Sequence, residues 1–409
     1  MKKLFIQTYG CQMNLADSEE MAAHLAARGF ELTDHLEEAD LALVNTCTVR
    51  DHAEHRALSL LGRLRRWKRE KSGRRIIFAG CAAQRLGEKL KKTFPYLDLI
   101  SGAKDIDSFS LLLDKNGIFP TEPGAHNEPQ PGVCGYVTIM RGCDFACSYC
   151  IVPSVRGPVL CLPSKEILKR AEQKAAEGYP EITLLGQTVN AWKEGNKTFA
   201  DLLNEVSSLN GVERVRFVSP HPAFITPQFL AAVENNPKIA RHIHLPVQSG
   251  SSKVLKEMKR GYTRELFLEK IDALKARGFA VSTDIIVGFP TETPQDFEET
   301  LSLVERAGFS AAYCFKYSPR AGTPAAQMKL WDEKTLEERL DILLNRVRGL
   351  AEAAYQRQVG KPVQILMETP HKGRTSDNFW AQTKKSYTIG TMVQSQAQSA
   401  QGTLLLTRD

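Results

Sequence analysis

Short apolar runs alternate with amphipathic stretches from the first residues onward. "KLFIQTY", "DLALVNT" and "RIIFAG" have the length and texture of strands. "DSEEMAAHLAARGF" predicts a helix opened by Asp17 or Ser18 and closed near Gly29. "RALSLLGRLRRWKRE" predicts a long basic helix burying Leu58, Leu61 and Leu64, and another helix runs through "RLGEKLKKTF". This β-α-β-α order implies a parallel sheet with helices on its faces. "NGIFPTEPGAHNEPQPG" then breaks the pattern and predicts a linker, with a boundary near residue 125. From about Gly132 the alternation resumes through "YVTIMR", "EITLLG", "RVRFVS", "HIHLPV", "VSTDIIVGF" and "AAYCFKYS". Six such units predict a partial (βα)6 barrel, whose ligands gather at the carboxyl ends of its strands. After the helix "EKTLEERLDILLNRVRGLAEAAYQRQVG", the strands "KPVQILMETP", "FWAQTKK", "TMVQSQ" and "GTLLLTRD" predict a small β-barrel. The expectation is therefore an α/β chain of three domains, at 1–120, 130–358 and 359–409.

Composition narrows the class. The chain has 409 residues, 42% hydrophobic and 25% charged, which is ordinary for a water-soluble protein. No apolar run approaches a membrane span, and "MKKLFIQTYGCQMN" is too interrupted for a signal peptide, so a cytoplasmic protein is expected. A net charge of +7 suits an anionic partner such as RNA. The nine cysteines are odd in number and bunched, which argues for metal binding over a disulfide framework.

Cys143, Cys147 and Cys150 are spaced C-x₃-C-x₂-C in "MRGCDFACSYCIVPSVRG", just after a strand. Structural zinc sites and simple electron carriers normally take four protein ligands. Three leave one metal position open to a guest molecule. A zinc loop completed by Cys161 or a histidine is the competing reading. Cys11, Cys47 and Cys81 are far apart in sequence, yet each follows one of the first three strands: "FIQTYGC", "ALVNTC", "IIFAGC". A parallel sheet brings those positions to one edge. Cys134 and Cys314 lie in strand-like segments and are expected in the core, while Cys161 has no assigned role.

C-x₃-C-x₂-C resembles the signature of the radical S-adenosylmethionine (SAM) enzymes. The resemblance implies a 4Fe-4S cluster on Cys143, Cys147 and Cys150, with SAM on the open iron and Tyr149 covering its adenine. Two three-cysteine sets together resemble the methylthiotransferases, through "QTYGCQMN", "VNTCTVR", "RGCDFACSYCIVPSVRG", "LLGQTVN", "HLPVQSGS", "DIIVGFPTET" and "YSPRAGTPAA". That likeness covers essentially the whole chain. It implies an auxiliary 4Fe-4S cluster on Cys11, Cys47 and Cys81. Gln187 and Asn190 would lie near the methionine part of SAM, and Ile286 and Gly288 near its adenine. A turn capping the sheet and an ordinary strand end are the plain alternatives for those two pairs. "GRTSDNFWAQ" is similar to the TRAM module with which this family grips RNA. "QTYGCQMN" and "CSYCIVPSVRG" look most like the branch that methylthiolates an isopentenylated adenosine in tRNA. Other branches act on threonylcarbamoyladenosine or on an aspartate of a ribosomal protein. The implied partners are the tRNA anticodon stem-loop, an electron donor and a sulfur source, with the enzyme a monomer. An RNA-binding protein with a structural or redox-sensing metal site is the alternative from another class. The chain departs from the family pattern at Val159, where glutamate is usual, at Cys161-Leu162, where Ser-Arg is usual, and at Thr188, where asparagine is common.

Further readings concern charge. Asp284 is expected either to pair with a base such as Arg216 or to face a cavity. His221, His242 and His244 are expected to be neutral and hydrogen-bonded. The basic residues within 56–75 suit phosphate contacts or a solvated face. Lys372, Arg374, Lys384 and Lys385, interleaved with Phe379, Trp380 and Tyr387, suit RNA loops or an exposed part of the core.

Overall fold

A computed structural model describes residues 2–49, 51–118 and 132–408. The chain divides into two units. One is Met1–Gln130 with Arg141–Asp144 and Cys150–Val159; the other is Pro131–Met140, Phe145–Tyr149 and Leu160–Asp409. The linker boundary expected near residue 125 lies outside the described residues.

The first unit is built on β1 (Lys2–Tyr9), β2 (Phe30–Leu32), β3 (Leu41–Thr46), β4 (Arg75–Gly80) and β5 (Leu99–Gly102). All pair in parallel, in the order β2-β1-β3-β4-β5. Every residue of β3 is buried, as a strand covered on both faces requires. Its alternation feeds two cores. Ala42 and Val44 pack with Leu61, Leu64 and Trp67 of helix α2 (Asp51–Glu70). Leu41 and Leu43 pack with Met21 and Leu25 of helix α1 (Gln12–Ala26).

Three local expectations change. Helix α1 begins at Gln12 with Cys11 at its N-cap, so Asp17 and Ser18 are internal and buried. Their cap preference is overridden by tertiary partners described below. Leu58 is only partly buried, and Ala57, Leu60, Leu61, Leu64 and Trp67 form the inner face of α2. The helix expected through "RLGEKLKKTF" is split into α3 (Cys81–Leu86) and a turn of helix at Lys89–Thr93, with Gly87 between them at φ +51°.

In the second unit β6 (Cys134–Thr138), β7 (Glu181–Leu185) and β8 (Arg214–Phe217) pair in parallel. So do β9 (His242–His244), β10 (Ala280–Val287) and β11 (Ala311–Lys316). A parallel bridge between Val215 and Ile239 lies between the two sets. These are the six strands read from the sequence, curled as a partial barrel. Helix Glu333–Gln356 leads into β12 (Pro362–Met367), β13 (Lys372–Thr375), β14 (Trp380–Gln382), β15 (Met392–Gln401) and β16 (Leu404–Arg408). They close in the order β12-β13-β14-β16-β15, which leaves no open edge. The short strand "KGRT" had no sequence signal. Two arginines of β8 fix this barrel: Arg214 Nη1 donates to the Arg374 carbonyl (3.2 Å) and Arg216 Nη2 to that of Thr375 (2.9 Å). Among the described residues no helix is long and apolar enough to cross a membrane.

Candidate metal centre

All nine cysteines are described, and none forms a disulfide. In the first unit Tyr9, Thr46 and Gly80 are level in the sheet register. Cys11, Cys47 and Cys81 follow those positions by two, one and one residues, so three cysteines share the carboxyl edge of the sheet. Cys11 is exposed, and Cys47 and Cys81 are buried. The Cys47 thiol donates toward Cys11 and pulls its pKa down to about 6, helped by the charge of Arg156. Cys47 is pushed well up by the same hydrogen bond and by burial. Burial also raises Cys81, against the opposing charge of Arg156.

A buried polar network backs this edge. Asn45 Nδ2 donates to the Asn14 carbonyl (2.8 Å) and Ser18 Oγ (2.9 Å), and Asn14 Nδ2 donates to Asn45 Oδ1 (3.2 Å). Asn14 Oδ1 accepts from the Cys11 backbone and from its thiol, both at 3.4 Å. The edge also needs glycine. Gly80 has φ +95°, and a Cβ there would meet Asn45 Oδ1 and the Thr46 carbonyl oxygen, the latter at 2.7 Å. Asp17, fully buried, takes Arg141 Nη1 (2.6 Å) on one oxygen and Arg156 Nη2 (2.8 Å) on the other. Arg141 also reaches Glu20 (2.8 Å). Sequence reading missed Asn14, Asn45, Asp17, Arg141 and Arg156 as parts of this site. The one available signal was the pair of Arg-Gly dipeptides framing "CDFACSYC".

Cys143, Cys147 and Cys150 belong to one loop. In the first unit the Cys143 backbone donates to Gly157 (3.1 Å) and Cys150 Sγ accepts from the Val152 backbone (3.4 Å). In the second unit Arg260 Nη1 donates to Cys147 Sγ (3.4 Å), with Arg260 held by the Tyr262 hydroxyl (3.0 Å). Ser148 is pinned by the backbones of Glu257, Met258 and Ala325. Tyr149 and Ile286, far apart in sequence, pack on one cluster with Val254, Met258, Phe289 and Tyr317. Gln187 Oε1 is buried and has no hydrogen-bond partner among the described residues. The Asn190 amide instead clamps His221, donating to its carbonyl (2.9 Å) and accepting from its N–H (2.8 Å). Gly288 N–H donates to Glu292 Oε2 (2.7 Å), and a side chain at Gly288 would strike Leu336.

Asp284 pairs with His244 Nε2 (3.3 Å), not with Arg216, which is taken by Glu181 (2.8 Å). Burial lowers His221 to about 3 and His242 well below its usual value, so both are neutral. Cys134 and Cys314, expected in the core, are only partly buried; burial still raises Cys134, and Cys314 to about 12, as suits inert thiols. Around α2, Lys68 and Arg75 pair with Asp98, Lys71 pairs with Asp40, and Arg74 is buried on backbone carbonyls. Arg63, Arg65 and Arg69 are exposed. In the barrel Phe379 is core, while Trp380 is exposed beneath the Arg374 guanidinium, 4.8 Å from its ring centre.

Three thiols on one sheet edge and three on one loop fit iron–sulfur clusters by donor chemistry. Among the described residues no three His, Cys, Asp or Glu side chains stand close enough to hold a single ion. Cluster thiolates bind separate irons and need no common point.

Residues 3–102 match the model of uncharacterized protein family UPF0004, and residues 137–304 match the radical SAM superfamily. A tRNA-2-methylthio-N(6)-dimethylallyladenosine synthase from Koribacter versatilis is 37% identical, over 92% of this chain and 90% of its own. One from Caldicellulosiruptor saccharolyticus is 41% identical, over 92% and 86%. One from Aquifex aeolicus is 39% identical, over 94% and 92%. Among solved structures, the radical S-adenosylmethionine methyltransferase TsrM from Kitasatospora setae superposes with a TM-score of 0.60 at 15% identity, over 80% of this chain and 75% of that one. The cobalamin-dependent S-adenosylmethionine radical enzyme OxsB gives 0.54 at 14% identity, over 86% and 56%. These two are likenesses of fold.

Proposed function

The chain belongs to the family of tRNA-2-methylthio-N(6)-dimethylallyladenosine synthases, and from that premise we propose that it adds a methylthio group to carbon 2 of N6-isopentenyladenosine beside the tRNA anticodon. The chemistry supplied by two 4Fe-4S clusters and SAM, when bound, is activation of an unreactive aromatic C–H bond and delivery of a sulfur. Cys11, Cys47 and Cys81 would hold the auxiliary cluster, and Cys143, Cys147 and Cys150 the SAM cluster. The observation that supports this most is the level register that sets Cys11, Cys47 and Cys81 on one edge. Each set is one ligand short of a closed cluster, so each leaves an iron for a guest.

The remaining residues take supporting roles. Tyr149 and Ile286 form an apolar wall suited to an adenine face. Gln187 Oε1 is an acceptor suited to the amino group of SAM, since a buried carbonyl without a partner is otherwise costly. Asn190 holds the turn at His221 rather than offering its amide to a cofactor. Gly288 gives close approach of backbone, with helix Glu333–Gln356 packed behind it. In the second unit Lys384, Lys385 and Trp380 would meet the anticodon stem-loop, with the C-terminal barrel acting as a TRAM-like RNA grip, and in the first unit Arg63, Arg65 and Arg69 suit phosphate contacts. The division of labour follows segments 1–120, 130–358 and 359–409. The protein would work as a monomer in the cytoplasm, with an electron donor and a sulfur source.

The test is mass spectrometry of tRNA nucleosides from a deletion strain. The 2-methylthio derivative should vanish, N6-isopentenyladenosine should accumulate, and the gene should reverse both. An unchanged tRNA profile with a ribosomal protein lacking its methylthio group would overturn the proposal.

A further inference from the structure

Helix Val152–Arg156 ends in a cation that the chemistry above does not use. It is seated by Ile151 and Val155, which pack with Cys81 and Ala103. The Arg156 side chain is 4% exposed. Nη2 donates to Asp17 Oδ2 at 2.8 Å, while Nη1 is buried with no hydrogen-bond partner among the described residues. Its guanidinium lies close enough to Asp17, Cys81 and Cys11 to interact with the charge of each. A buried N–H of a charged group left unpaired is costly. Such a donor beside two thiols is accounted for by an anionic, sulfur-rich ligand.

We propose that Arg156 is a positioning residue that tunes the auxiliary cluster: its guanidinium stabilises negative charge on the iron–sulfur unit and on an anionic sulfur guest, while Asp17 tempers it. This rests on the reading that Cys11, Cys47 and Cys81 hold that cluster. Reduction adds one negative charge to a cluster already ligated by thiolates. A fixed cation nearby makes that step easier, and a fixed anion makes it harder. Arg156 and Asp17 share one ion pair, so a purely structural role predicts the same kind of damage from losing either. An electrostatic role predicts opposite signs.

The experiment uses the full chain carrying C143A, C147A and C150A, reconstituted anaerobically so that only the auxiliary cluster remains. Redox titration followed by electron paramagnetic resonance gives its midpoint. R156Q should make reduction about tenfold less favourable, a shift of about 59 mV to more negative potential for one electron. D17N should shift the midpoint to more positive potential, and R156K should stay near the parent. If R156Q fails to hold iron, the sign of the D17N shift decides. Shifts of the same sign in R156Q and D17N, or no shift in D17N, overturn the proposal. If the parent itself holds no iron, it is the assignment of Cys11, Cys47 and Cys81 that fails.

Discussion

Asn45 is the residue on which the sheet edge behind Cys47 depends, so Asn45→Leu is an informative perturbation. The side chain is fully buried and joins β3 to α1 through three hydrogen bonds. Leucine has a similar volume, so the cost is in polar partners rather than in a cavity. Asn14 Nδ2 would be left without its acceptor, at about 1–3 kcal/mol. The Asn14 carbonyl and Ser18 Oγ would each lose one bond but keep others, Ser18 through Thr8 Oγ1 at 2.7 Å. Each of those losses costs roughly 0.5–1 kcal/mol, so the total is about 3 kcal/mol. That is roughly a hundredfold in the opening equilibrium of this edge. The assay is thiol labelling of the metal-free, reduced protein with peptide mapping. Cys47 and Cys81 are buried here, and Cys134 of the second unit serves as an internal control. Labelling of Cys47 should accelerate about a hundredfold while Cys134 is unchanged. An acceleration below about threefold at Cys47, or an equal one at Cys134, would refute the reasoning.

Neighbouring aromatics in the C-terminal barrel should separate cleanly. Trp380→Ala should weaken tRNA binding about tenfold with little loss of stability, as expected for a lost stacking surface. Phe379→Ala, 3% exposed in the barrel core, should instead cost about 3–5 kcal/mol of stability; equal effects of the two on tRNA binding would contradict this. Asp296 gives a pH test. Burial raises its pKa, but hydrogen bonds from Lys253, Ser251 and Thr293 outweigh that and hold it below the usual 3.8. Its contribution is therefore present above pH 3.8 and lost as pH falls further. Asp296→Asn should lower the melting temperature at pH 7, by a cost of about 2 kcal/mol. The gap to the parent should narrow on acidification, and a gap that widens would contradict the assignment.

The sheets were legible because their signals are local. Six strands of the second unit and three of the first carry runs such as "EITLLG" and "RIIFAG" that read as strands without context. β2, β5 and β13, the segments "FEL", "LISG" and "KGRT" of three or four residues, were missed. The start of α1 was missed because Asp17 and Ser18 look like caps, yet their partners lie up to 139 positions away in sequence. The cysteines were legible for a different reason: repeated placement after strands survives folding, since a parallel sheet aligns its strand ends. Arg156 and Asn45 were not, because nothing in "PSVRG" or "LALVNT" marks which side chain turns inward and what meets it. The pairing of Asp284 with His244 rather than Arg216 has the same origin. Glu181, the competitor for Arg216, lies on a strand read only for its apolar residues.

The central claim is two separate iron sites with three cysteines each, and iron quantification tests it directly. The anaerobically reconstituted chain should bind about eight irons. Replacing Cys11, Cys47 and Cys81 with alanine should leave about four, and so should replacing Cys143, Cys147 and Cys150. Full iron retained after loss of the first three cysteines would contradict the account.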